Sequence, residues 1–191
     1  MTPIGCRLSL FISITAFGLG TAQAQSSSPW PVTQLDSVAS VSMPYSGTVD
    51  EELAKEGIIT YSAPTSDNNF DVLIITPKLN QPLKPGERMV MDTKKVLAQV
   101  AKMSNKLFVR PKLQSSYSVT VPSAPNGWAE HQVYSGFDAF HQSDATMELT
   151  WVIVGSSMYI FRCSTQLPQE DETAEDMKRF FTTIEFKQPR R

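Results

Sequence analysis

Two apolar runs separated by a glycine, residues 147–154 and 158–163 around the stretch "WVIVGSSMYIFRC", constrain this chain more than any other feature. Short runs rich in aromatic and β-branched side chains, bounded by Gly-Ser, read as two antiparallel strands joined by a tight turn. Gly155-Ser156 suits a two-residue type II′ turn, which pairs Val154 with Ser157 and sets Cys163 opposite Glu148. A three-residue loop, 155–157, instead pairs Trp151 with Phe161 and sets Cys163 opposite Leu149. The apolar pattern favours this second register, because Met147, Leu149, Trp151 and Ile153 then share a face with Tyr159 and Phe161. One residue of slip moves the thiol to the other face of the sheet. The second register is the expectation, with Cys163 as an inert core residue.

The beginning of the chain reads as a targeting segment. One positive charge at Arg7, an apolar run over residues 8–19 and the small-x-small pattern Ala22-Gln23-Ala24 predict a secretory signal peptide, residues 1–24, cleaved after Ala24. The apolar run is shorter than the roughly 20 residues a bilayer span needs. No second long apolar segment follows, so the mature chain is expected without a transmembrane segment, in a periplasm or outside the cell. The balance of 17 basic and 19 acidic residues becomes 16 and 19 without Arg7, a formal −3. That charge gives no pull toward nucleic acid. Of the two cysteines, Cys6 leaves with the signal, and Cys163 alone cannot form an intrachain disulfide.

Hydrophobic periodicity and turn formers divide the remainder into a lead-in (25–36), one globular domain (37–187) and a tail (188–191). Residues 37–44 read as a first strand ended by Pro44. Residues 48–57 are open between helix and strand: Thr48 with Glu51 fits a capping box and Gly57 a helix stop, but the run is short. Residues 58–63 and 70–76 flank the turn-rich "PTSDNN" and predict an antiparallel pair. Met89, Thr93, Val96, Val100 and Met103 recur at steps of four and three, predicting an amphipathic helix over 89–103, with Asp92 as a cap. The segments "KLFVRPKL", "YSVTVP" and "WAEHQVYSGF" read as short strands. Thr173, with Asp176 three residues on, opens a helix through Phe181, and "TIEF" closes the chain as a strand. The expected fold class is α+β: a central antiparallel sheet with helices packed on it.

Candidate chemistry is sparse. Cys163 and the only two histidines, His131 and His141, form the set to test for nucleophilic catalysis, since a thiolate needs a neighbouring base or cation. Asp138, His141 and Asp144 do not have a recognised metal-ligand spacing. Glycine-rich phosphate loops, G-x-S-x-G and H-E-x-x-H do not occur. No catalytic, metal or cofactor residue is therefore nominated, and no cofactor is implied. The loop "YSGFDAFHQSD", with Tyr134, Phe137, Asp138, Phe140 and His141, is the expected rim of any binding groove, because loops on a rigid scaffold carry binding residues disproportionately. Trp30, Trp128, Trp151, Phe180 and Phe181 read as core.

Several elements together resemble a family. Trp30 precedes the proline-ended strand "VASVSMP", "WVIVGSSMYIF" supplies a strand, a glycine turn and a tyrosine strand, and "AEDMKRFFTTIEF" closes on paired phenylalanines and a short strand. This resembles the PsbP-like α/β/α-sandwich proteins, including the DcrB-like exported bacterial proteins, over about Trp30 to Phe186. The resemblance implies helices on both faces of the sheet and a non-enzymatic accessory, assembly or envelope role. The expected function is an exported non-enzymatic accessory or binding protein of the bacterial envelope, acting on a protein or small ligand. The alternative is a small thiol-dependent enzyme using Cys163 and His131, and a third reading is a dimer linked through Cys163.

Overall fold

Strand-forming sequence dominates the ordered layers of the protein. The structure is a computed structural model that describes residues 29–49, 54, 57–76, 108–121, 123–124, 128–139 and 141–187. Of these, 61% are strand and 11% helical, with one helix. The strands are β1 (Val32–Gln34), β2 (Ala39–Ser42), β3 (Thr48–Val49), β4 (Ile58–Pro64), β5 (Asn68–Ile75), β6 (Phe108–Thr120), β7 (Trp128–Asp138), β8 (Ser143–Val154) and β9 (Ser157–Gln166). The helix α1 (Asp171–Thr182) and strand β10 (Glu185–Phe186) follow. All strand pairs are antiparallel. They form a seven-stranded sheet in the order β3-β4-β5-β9-β8-β7-β6 and a three-stranded sheet in the order β1-β2-β10.

This arrangement corrects the expected α/β/α sandwich. The predicted helix over 89–103 lies outside the described residues, and the layer against the large sheet is itself largely a sheet. The segments 32–34, 39–42 and 185–186 bond to one another rather than extending the main sheet. The lead-in read at 25–36 thus contains β1. Residues 48–49 are strand, paired with Ser62 and Tyr61, and Gly57 has the positive φ of 83° that a chain reversal needs. The two segments read as separate strands around 106–122 are one long strand, β6, with two register shifts.

The central strands β5 and β9 carry apolar residues on both faces, which requires cover on both sides, whereas β8 alternates, with Met147, Leu149 and Trp151 on one face and Thr146, Glu148 and Thr150 on the other. On the first face Phe70, Val72, Val152, Tyr159, Phe161 and Cys163 join Ala39, Val41, Met43, Met177, Phe180 and Phe186 in one core. Its aromatic rings meet at preferred tilted and edge geometries: Phe70 with Phe180 at 5.2 Å, Trp30 with Phe70 at 5.3 Å, and Tyr159 with Phe186 at 5.1 Å. The Tyr159 hydroxyl donates to Asp36 Oδ2 at 2.6 Å, while Asp36 Oδ1 accepts the backbone N–H groups of Val38 and Ala39. On the second face Leu73, Phe108, Ala145, Met147, Leu149, Trp151, Met158 and Ile160 form another core.

Two local expectations are also corrected. In the β8–β9 hairpin Val154 pairs with Ser157, Trp151 with Ile160 and Cys163 with Glu148. This is the register set by the two-residue turn: Gly155 takes φ +61°, and Ser156 does not share the positive φ. Because both faces are buried, burial discriminates poorly between the registers and turn geometry decides. The helix starts at Asp171 rather than at a Thr173 cap. Thr173 is buried in the first turn, where its hydroxyl donates to Glu170 O at 2.7 Å, and Asp171 and Glu172 sit where the helix dipole favours negative charge.

Candidate functional site

Two opposite charges interrupt otherwise apolar strands, Asp71 in β5 and Arg162 in β9, and the strand register places them side by side on the second face. Arg162 Nε donates to Asp71 Oδ2 at 3.0 Å, and a second guanidinium nitrogen donates to the same oxygen. The side chains are only 11% and 4% exposed. A pair so desolvated is held by its hydrogen bonds, and losing one partner strands the other charge. Asp71 is further tied by the Ser62 hydroxyl and by Asn69 Nδ2, at 3.3 Å.

Above this pair lies a cleft of about 240 Å³, lined by Ser62, Pro64, Asn69, Phe108, Asp138, His141, Met147, Arg162 and Ser164. Most of its exposed wall is carbon, although six of these nine residues are polar, and Asp138, His141 and Arg162 are fixed by hydrogen bonds. Asp138 and His141, from the predicted rim, meet here. Asp138 accepts from the His141 backbone N–H at 3.1 Å and lies 2.8 Å from His141 Nδ1, which closes the loop after β7 on itself. Phe108 is held over Gly136, whose absent side chain makes room for the ring.

The other predicted rim residues are elsewhere. Phe137 lies on the first face, beside a larger open groove of about 860 Å³ shared with Val109, Arg110, Lys112, Asp144 and Leu167. Tyr134 is half-buried, its hydroxyl donates to Gln132 Oε1 at 2.7 Å, and burial with the nearby Glu130 raises its pKa. Phe140 lies outside the described residues.

The thiol and histidine of the alternative reading are on one face but not partnered. Cys163 is fully buried, and burial pushes its thiol well above the ordinary value. Its contacts are the Ser164 carbonyl and the Thr165 hydroxyl, at 4.0 and 3.9 Å. His131, 7% exposed, has Nδ1 on Thr150 Oγ1 at 2.8 Å and Nε2 on Glu148 Oε2 at 3.1 Å, with Tyr117 and Phe181 against its ring. Both ring nitrogens are engaged, so His131 is not positioned to deprotonate the thiol. A fully buried sulfur also cannot crosslink two folded copies.

Among the described residues no three His, Cys, Asp or Glu side chains are grouped as metal ligands would be, and no helix is long and apolar enough to cross a membrane. No known family pattern matches the chain, and no curated protein does. Among solved structures it is similar to a Pseudomonas aeruginosa protein of unknown function, at 12% identity and a TM-score of 0.44, over 86% of this chain and 99% of that one. It is also similar to a Bacteroides thetaiotaomicron protein at 13% identity and a TM-score of 0.38, over 78% of this chain and 45% of that one, so it spans less than half of the latter. At these scores neither likeness bears on function.

Proposed function

We propose that this chain is an exported, non-enzymatic binding or accessory protein of the bacterial envelope, with the cleft over the Asp71–Arg162 pair as its ligand seat. The observation that carries the reading is that cleft: a wall whose exposed surface is mostly carbon over a buried, mutually satisfied ion pair. Such a floor is organised before a ligand arrives. The single charge at Arg7, the apolar run over 8–19 and the small-x-small pattern of residues 1–24 support export. The PsbP-like resemblance supports an accessory role, although not through its fold.

The test is expression of the full chain in a bacterial host, followed by fractionation and native mass spectrometry of the purified protein. A periplasmic product beginning near Gln25, carrying a small non-covalent adduct that the cleft-filling Ser164→Phe variant lacks, is the expected result. A full-length cytoplasmic product refutes the export reading. An adduct unchanged in Ser164→Phe, or none at all, refutes the ligand seat.

A further inference from the structure

The open groove on the first face is built differently from the cleft and has its own chemistry. Strand β6 loses register with β7 twice, between Val109 and Lys112 and between Leu113 and Ser115. Within the first irregularity Arg110 takes φ +55°, the left-handed region that a long side chain rarely adopts, and it does so directly before Pro111. Strain of this kind persists where surrounding structure imposes it, and it concentrates at binding sites. The extra residue here turns Lys112 onto the same face as Val109, and Arg110 and Lys112 both line the 860 Å³ groove.

Neither cation has an ion-pair partner among the described residues. The one acid of the lining, Asp144, leaves the site at a formal +1. The exposed apolar side chains are Phe137 on β7 and Leu167 just after β9, with Val109 of β6 beside them. Phe137 and Leu167 are 37% and 42% exposed, so their apolar area is available to a ligand. Polarity is thus divided, with a cationic edge at Arg110 and Lys112 and apolar surface at Val109, Phe137 and Leu167.

We propose that this groove binds a small amphipathic carboxylate, with the head on Arg110 and Lys112 and the aliphatic body over Phe137 and Leu167. A free small molecule suits the division into one head and one tail better than a peptide, whose backbone would need polar partners along the apolar surface. The site lies on the opposite face from the cleft and does not rest on it.

Isothermal titration calorimetry of the purified protein with octanoate tests this, beside 1-octanol and octyltrimethylammonium. Octanoate is expected to bind saturably, at one per chain, with affinity falling as salt is added. Octanol is expected to bind about tenfold more weakly, as loss of a charge-assisted contact requires, and the ammonium not at all. The variant Arg110→Gly removes the charge while relieving the left-handed strain, so it separates binding from folding. It is expected to weaken octanoate about tenfold with no loss of thermal stability, and Lys112→Gln to act in the same direction. Equal binding of octanoate and octanol, an unchanged affinity in Arg110→Gly, or binding of an apolar peptide with a free carboxyl terminus but not of octanoate would each overturn the proposal.

Discussion

Replacing Gly136 with alanine probes the packing that walls the cleft. A Cβ built at Gly136 stands 2.3 Å from Cε1 of Phe108 and 2.9 Å from both Cδ1 and Cζ. Carbon atoms pack best at about 3.5–4.0 Å, so the ring must move by more than 1 Å. Phe108 is 4% exposed and part of the second-face core, so little open space receives it. Overpacking of this kind costs roughly 1–3 kcal/mol. Restricting the unfolded chain by replacing glycine returns about 0.4–1 kcal/mol. The net expectation is a loss of about 1–2 kcal/mol, measured as a shift in the urea midpoint at unchanged slope. The Phe108→Ala background separates this clash from any general intolerance of strand β7: once the ring is gone, Gly136→Ala should cost nothing measurable. A double-mutant cycle therefore returns a coupling of about 1–2 kcal/mol. A Gly136→Ala change within 0.5 kcal/mol of the parent, or equally harmful with and without the ring, refutes the reasoning.

Other predictions concern the buried groups. Cys163 should resist dithionitrobenzoate in the native protein and react fully in denaturant. Its thiol ordinarily titrates near 9.0 and is pushed far above that value in the fold, so the native state keeps a proton that the unfolded state releases. Stability from this group is full below pH 9 and falls by about 1.4 kcal/mol per pH unit above it. Urea unfolding at pH 8, 9 and 10 should show that slope and Cys163→Ala should flatten it; parallel slopes contradict the burial argument. Asp71→Asn should destabilise by roughly 3–5 kcal/mol, and the paired replacement Asp71→Leu with Arg162→Met by much less. Calorimetric melting that ranks them the other way counts against a mutually dependent pair. Gly155→Ala has open space around its new methyl, so any loss is backbone strain of roughly 1–2 kcal/mol, which Gly155→Asn should largely avoid in the same assay.

Much of the strand layout was legible because apolar runs bounded by turn formers are local signals. The pairing of Ile58 to Ala63 with Phe70 to Ile75 across "PTSDNN", and the hairpin about Gly155, appear where the residues place them. The site was legible only in part. Loop position points to Asp138 and His141, and both line the cleft. Its floor was missed, although a signal exists: Asp71 in "FDVLII" and Arg162 in "YIFRC" are single charges of opposite sign in apolar strands. A lone charge in such a strand has to find a partner, and the two satisfy each other only after folding brings together residues that are far apart in the chain. Arg110 and Lys112 gave no warning, because their placement depends on a register irregularity rather than on residue type.

The fold class and the hairpin register went astray for one physical reason. The apolar residues of β5 and β9 occupy both faces of the sheet, so in these strands alternation, which normally identifies the inner face and thereby the register, identifies neither. In the observed register Trp151 faces Ile160 and Phe161 faces Thr150, and a slip by one residue would set Trp151 against Phe161, so apolar matching across the strands does not select the observed pairing. What remains to choose the register is the turn, where Gly155 can take φ +61° without a side chain to oppose it. The cross-strand pair Asp71–Arg162 then depends on β9 meeting β5 in step, since a slip would leave each charge against an apolar neighbour. The same two-sided burial demands two covering layers without saying what they are made of. On the first face the cover is β1, β2 and β10 with α1 beside them, built from short segments at opposite ends of the described chain. Strands of two to four residues carry too little periodicity to be assigned to a second sheet, and pairings such as Ala39 with Phe186 become visible only when the large sheet has already brought them together.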